Sequence, residues 1–195
     1  TRYIGDWSSD VCSSDLEIIN EVFKLFSPDI PLKRLPTQYI GFSPEHKGFP
    51  GTISLSSNLI TSMIKEVGGQ LSEIGFKRLI LINGHGGQIS LLNTAARELR
   101  SLAPRMAVFP CFLWSGVNGL SELLTKTEIE DGLHASLAET SLMLALKPEL
   151  VGDERPNEVI KGQMPEGWSL EGNAPTAWLT DDFSKSGVIG DSRGA

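Results

Sequence analysis

The sequence predicts an α/β domain built on parallel strands, and three observations carry that expectation. A stripe of apolar residues at helical spacing (Leu59, Ile60, Met63, Ile64, Val67, Leu71, Ile74) precedes the run Leu79-Ile80-Leu81-Ile82, which reads as a strand buried on both faces. A second helical stripe (Leu91, Leu92, Ala95, Ala96, Leu99, Leu102) follows and gives way to another short apolar run, Met106-Ala107-Val108-Phe109. The links are short, and helix, strand, helix, strand in that order is the pattern of parallel strands joined by right-handed crossovers. With 195 residues and 40% hydrophobic content, one domain can bury a real core.

Charge and composition exclude several classes. A net charge of −7 and a pI near 5.0 leave no basic face for nucleic acid. No apolar run approaches the roughly 18 residues of a membrane span, and no basic-then-apolar leader is present, so a cytoplasmic setting is expected. Two cysteines, Cys12 and Cys111, make neither a disulfide framework nor a thiolate metal site. Any metal must therefore be held by histidine and carboxylate.

Along the chain, residues 1 to 15 follow neither a helical nor a strand period and are rich in Ser and Asp. The string GDWSSDVCSSDL resembles the conceptual translation of a sequencing adaptor. Residues 1–15 are read as a non-native tail that packs poorly, and residues 16–195 as the domain. Leu16, Ile19, Val22, Phe23 and Phe26 make a short amphipathic helix that Pro28 ends. Pro31 and Pro36 lead through a short strand or extended piece at Thr37 to Ile40 into a loop containing Glu45-His46 and Phe49-Pro50-Gly51-Thr52. That loop reads either as a structured functional loop or as a solvated turn with an incidental Glu-His pair. Ser57 or Asn58 caps the next helix, which Gly75 ends.

The strand at 79–82 runs into Asn83-Gly84-His85-Gly86-Gly87, and a helix begins at Ile89 and stops at Pro104. In parallel sheets, ligands bind at the carboxyl ends of strands, so Asn83 and His85 are the first candidates for chemistry. After the second strand, Trp114 either packs or recognises substrate. In Asp131-Gly-Leu-His134-Ala-Ser136-Leu-Ala-Glu139 the spacing of Ser136 and Glu139 is that of a capping box. Alternatively His134, just outside the helix, and Glu139, one turn in, face one crevice. Residues 147–185, with Pro148, Pro156, Pro165, Pro175, Trp168 and Trp178, form a long irregular region that serves function or subunit contact.

All three histidines thus lie in glycine-rich or cap-adjacent loops near a carboxylate or a strand end. Imidazole and carboxylate without thiolate suit zinc, manganese or a related divalent ion, and such an ion makes a nucleophile of water. A metal hydrolase is the natural inference.

In the order Glu45-His46 with Phe49-Pro50-Gly51-Thr52, then Asn83-Gly84-His85-Gly86-Gly87, then His134 through Glu139-Thr140-Ser141, these motifs resemble the creatininase (creatinine amidohydrolase) family. The resemblance covers the chain from about residue 16. It implies a three-layer α/β/α domain with a mainly parallel sheet, homo-oligomers, and a two-metal site that hydrolyses a small amide or cyclic amide. His85 matches a metal-binding histidine, Glu139 a carboxylate of the metal site and His134 a proton-shuttling histidine. Glu45, His46, Asn83, Gly86, Gly87 and Trp114 are expected to contact substrate or support the ligands. Family members carry further glutamate, histidine and aspartate ligands upstream of the helix that begins near Leu16, where this chain has Asp6, Asp10 and Asp15. Residues 186–191 resemble a family loop that leads into a last helix. The resemblance therefore implies a domain incomplete at both ends, and the chain as written is expected to bind metal weakly and to be inactive. Creatininase itself has a glutamate where Gly87 stands, so creatinine is not the favoured substrate. A non-catalytic ligand- or subunit-binding module and a creatininase-like peptidase or deformylase are the alternatives.

Overall fold

The computed structural model describes residues 17–160, 170 and 175–195. Cys12, Leu16, Pro165, Trp168 and the whole of the expected poorly packed tail lie outside them. The described residues fall into two compact units. One holds the described part of Val11–Ser43 together with Ile53–Val117; the other holds Pro44–Thr52 and the described part of Asn118–Ala195.

The first unit is α/β, as the periodicity predicts. Helix α1 spans residues 17–25. The chain then turns at residues 28–29 and continues to residue 39 without regular secondary structure, so the piece at 37–40 is not a strand. Helix α2 is Ser57–Glu73, and its cap is Ser56, one residue earlier than expected, whose hydroxyl accepts from the Leu59 N–H. Ile74 closes the helix and Gly75 follows at φ +105, a left-handed position suited to glycine. Strand β1 (Arg78–Asn83) pairs in parallel with β2 (Ala107–Phe112), with Ile80 opposite Phe109. Helix α3 (Ile89–Leu102) is the crossover between them.

The core of this unit is Ile60 and Ile64 of α2, Leu92, Ala95 and Leu99 of α3, and Ala103 and Met106, with Leu79, Leu81 and Val108 packed against it. Two helical stripes thus meet one face of the parallel pair, as their 3.6-residue spacing requires. The helices approach closely at Gly68, where a β-carbon would collide with the Leu99 side chain. The stripes are narrower than the sequence suggests, since Leu59, Val67, Ile74 and Leu102 stay exposed. Nor is β1 buried on both faces. Ile80 is 51% exposed, Ile82 44% and Phe109 48%. The helices cover the Leu79–Leu81 side, and among the described residues nothing is seated on the other row, because successive strand residues point to opposite faces.

The second unit opens with a 3-10 turn, Pro44–His46. It continues through α4 (Leu120–Leu123), α5 (Lys126–Asp131) and α6 (Leu137–Leu146), then a short antiparallel pair, β3 (Asn157–Glu158) with β4 (Gly190–Asp191). His134 makes an isolated antiparallel bridge to Ile189: its N–H donates to the Ile189 carbonyl at 3.2 Å, and the Ile189 N–H donates back at 2.8 Å. No helix of the described residues is long and apolar enough to cross a membrane.

Candidate active site

In the second unit the chemistry gathers around two imidazoles. The rings of His46 and His134 lie 4.2 Å apart, tilted by 34°, and both are buried. Proline suits the first position of the Pro44–His46 turn, where a backbone N–H has no partner to lose, and the turn carries His46 inward until only 3% of it is exposed. The expected alternative of a solvated Glu-His turn is therefore excluded, because the Glu45 side chain is buried as well. His46 Nδ1 lies 2.6 Å from Thr180 Oγ1, which is itself fully buried at the start of the 3-10 turn Thr180–Asp182. The opposite ring nitrogen, Nε2, is 3.7 Å from Glu45 Oε1. Trp178 meets the His46 ring edge-on at 6.4 Å between centroids, and its Nε1–H donates to the Leu170 carbonyl.

His134 is held by its backbone bridge to Ile189, and its Nδ1 is 3.9 Å from Glu139 Oε2. Ser136 and Glu139 do not form the expected capping box. Glu139 Oε2 accepts from the Ala135 N–H at 2.6 Å, one residue before the cap. Ser136, the cap by position, makes no side-chain bond to the α6 backbone; its hydroxyl donates to Glu128 Oε2 at 2.7 Å. Glu139 therefore ties the turn and also faces the His134 ring. It is not confined to capping its own helix.

In the first unit, the turn after β1 is an Asx-type loop. The Asn83 carbonyl oxygen accepts from the His85 N–H at 3.1 Å, and the Asn83 amide donates to the His85 carbonyl at 2.9 Å. Asn83 is buried, and Gln88 braces it from the 3-10 turn Gly86–Gln88 while accepting from the Phe42 N–H. His85 is half-buried at the carboxyl end of β1, where the sequence places it. A β-carbon on Gly86 would meet nothing, so no close approach explains that glycine here. Trp114 is half-buried in the turn after β2, and Cys111 is exposed at the end of that strand. The structure thus gathers Glu45, His46, His134 and Glu139 in one unit and sets Asn83, His85, Gly86, Gly87 and Trp114 in the other.

Three residues of the histidine unit escape a sequence reading. Thr180 lies 134 residues from its partner His46, Trp178 sits in a stretch without periodicity, and Glu128 reads as one of several acids on a short helix. No local signal marks any of them.

Residues 11–195 match the family model described as creatininase, creatinine amidohydrolase. The chain belongs to the creatininase family. It is 28% identical over 170 residues to a mycofactocin precursor peptide peptidase of Mycobacterium tuberculosis, matching 85% of this chain and 57% of that protein. It is 30% identical over 135 residues to a creatinine amidohydrolase of Pseudomonas putida, matching 62% of this chain and 52% of that one. A solved manganese creatininase shares the creatininase fold with it at a TM-score of 0.59 and 23% identity, over 96% of this chain and 72% of that one. The chain spans somewhat more than half the length of these curated relatives.

Proposed function

We propose that the intact protein is a metal-dependent hydrolase of an amide or cyclic-amide C–N bond, with His85 and Glu139 in the metal-ligand set, His46 and Glu45 as further nitrogen and oxygen donors, and His134 moving the proton. Family membership supports the class, and the buried pair His46–His134 with its two carboxylates is the observation that carries it.

The donors fit a divalent ion. His46 Nδ1 shares a hydrogen bond with Thr180 Oγ1, and the ring's Nε2 faces Glu45 Oε1 at 3.7 Å. A tetrahedral ion with bonds of about 2.1 Å holds its ligands about 3.4 Å apart, close to that spacing. A hydrogen bond on the second ring nitrogen is what fixes the tautomer of a ligating histidine. Zinc and manganese both suit such nitrogen and oxygen donors.

When bound, the ion supplies a water acidified to a pKa of roughly 7 and polarises the substrate carbonyl. His134 takes a proton from the attacking water and returns it to the leaving nitrogen, with Glu139 steadying the charged imidazole from 3.9 Å. His46, packed on the His134 ring, keeps bulk water from that face, and Trp178 closes the edge of His46. The partner is a small-molecule amide rather than nucleic acid or membrane, the setting is cytoplasmic and the assembly is a homo-oligomer. Gly87 in place of a glutamate speaks against creatinine. A second reading, a peptidase, is favoured by the 170-residue match to the mycobacterial enzyme.

Calorimetric titration of the full-length protein with zinc and manganese is the test. Binding that falls at least about tenfold in His85→Ala and Glu139→Gln is expected, together with a kcat loss of roughly 10²–10⁴-fold in His134→Gln. A panel of lactams, formamides and short peptides then separates amidase from peptidase. A full-length protein that binds neither metal would favour the non-catalytic binding module and overturn the reading.

A further inference from the structure

The segment that carries His134 and Glu139 contains an unusual backbone. Ala135 has φ +48, the only positive φ at a non-glycine position among the described residues, in a region where a side chain costs about 1–2 kcal/mol. Strain of that kind persists only where neighbours over-determine it. Here the neighbours are explicit. The Ala135 N–H donates to Glu139 Oε2, its carbonyl accepts from Thr140 Oγ1 at 2.9 Å, and the preceding residue is clamped to Ile189.

On the other side of the turn stands Glu128, a carboxylate only 7% exposed on α5. Its two oxygens divide the work. Oε1 accepts from the Ala138 N–H at 2.8 Å and Oε2 accepts from the Ser136 hydroxyl at 2.7 Å. The Ala138 N–H belongs to the second residue of α6, a group that a cap serine ordinarily satisfies. Glu128 does this from another helix, ten residues away in sequence, and a negative charge at a helix N-terminus also favours the helix dipole. Ser136 is thereby released from capping, and its oxygen accepts from the Asp191 N–H at 3.1 Å. Gly190 makes room for that arrangement, since it sits at φ +133 and a β-carbon there would overlap Ser136 Oγ.

We infer that Glu128 is a positioning residue: it caps α6 in place of Ser136 and so holds the left-handed Ala135 turn that sets His134 and Glu139. The inference rests on the reading of His134 and Glu139 as site residues for its functional meaning, while the positioning itself is a matter of structure. Without the carboxylate, Ser136 is free to rotate back to its own helix, the strap at Asp191 loses its acceptor, and Ala135 relaxes toward negative φ. Because Ala135 follows His134 directly, that relaxation shifts the His134 ring relative to His46.

The chain has only three histidines, so ring resonances in an NMR spectrum resolve the question directly once His134→Gln assigns one of them. In Glu128→Ala, exchange of the Ala138 amide with solvent accelerates about severalfold, because a hydrogen bond to a charged acceptor gives way to a weaker one to the Ser136 hydroxyl. The His134 ring signals move. Glu128→Gln, whose amide oxygen can still accept from the Ala138 N–H, keeps both signals close to the original. Adding Ala135→Gly, which makes the left-handed turn easy, returns the His134 signals toward their place in Glu128→Ala. Should Glu128→Ala fail to fold, Glu128→Asp, one methylene too short to reach, gives the same two readouts. A folded Glu128→Ala or Glu128→Asp protein with unmoved His134 signals overturns the inference. These signals do not depend on turnover. If His134→Gln of the full-length protein keeps full activity, the catalytic reading fails while the positioning result stands.

Discussion

Replacing Thr180 by valine should weaken both the fold and the metal site, by an amount set by one hydrogen bond. Thr180 is fully buried, His46 nearly so, and the 2.6 Å contact joins the hydroxyl to His46 Nδ1. Valine keeps the branched shape and exchanges the hydroxyl for a methyl, so the backbone bonds of the turn, Asp182 N–H to the Leu179 carbonyl at 3.0 Å and Ser184 N–H to the Thr180 carbonyl at 2.9 Å, remain. What changes is the environment of a buried ring nitrogen. Stripping a buried polar atom of its partner costs about 1–3 kcal/mol. With a urea dependence of about 2–3 kcal/mol per molar, the unfolding midpoint should fall by about 0.3–1.5 M, and Thr180→Ser should restore most of it. The second consequence concerns the tautomer. Without the hydroxyl, Nδ1 loses the partner that fixes the ring's tautomer, and nitrogen-15 shifts of the His46 ring should report a changed balance of its neutral forms. A ligating ring whose other nitrogen has lost its partner holds zinc or manganese less well, so affinity should fall along with stability. An unchanged midpoint together with an unchanged tautomer in Thr180→Val would refute this account of the site.

Two further outcomes follow from the fold. Leu99→Ala empties the centre of the α2–α3 core, where Leu99 is fully buried against Gly68, and should cost about 2–5 kcal/mol in urea unfolding; a loss below about 1 kcal/mol would show that α2 and α3 close over the gap. Burial pushes the Glu158 carboxyl up, but hydrogen bonds from the Ser184 hydroxyl, the Lys185 N–H and the Ser186 hydroxyl and N–H outweigh it and hold the group below its ordinary 4.5. Because the folded value is the lower one, this stabilisation is present above the ordinary carboxylate range and is lost as pH falls through the folded value. Acid unfolding of Glu158→Gln should therefore show a shallower pH dependence than the original; identical profiles would remove Glu158 as a cause.

What the sequence by itself determines is whatever a short window can encode. The helical spacing in residues 59–74 and 91–102 specifies two amphipathic helices, the run at 79–82 specifies a strand, and Asn83 with the glycines after it specifies the turn that presents His85. Ordered motifs likewise place the chain in its family. Tertiary structure decides where polar groups find partners. Whether Glu45-His46 is a solvated turn or a buried pair depends on Thr180, and whether Ser136 caps α6 depends on Glu128 and Asp191. The same holds for the row Ile80, Ile82 and Phe109, whose hydrophobicity alone cannot distinguish a covered face from an open one. The physical reason is common to all three. Periodicity records which side chains avoid water on one face of one element, whereas a buried hydrogen bond or a covered face is a relation between elements, and its partner can stand anywhere along the chain.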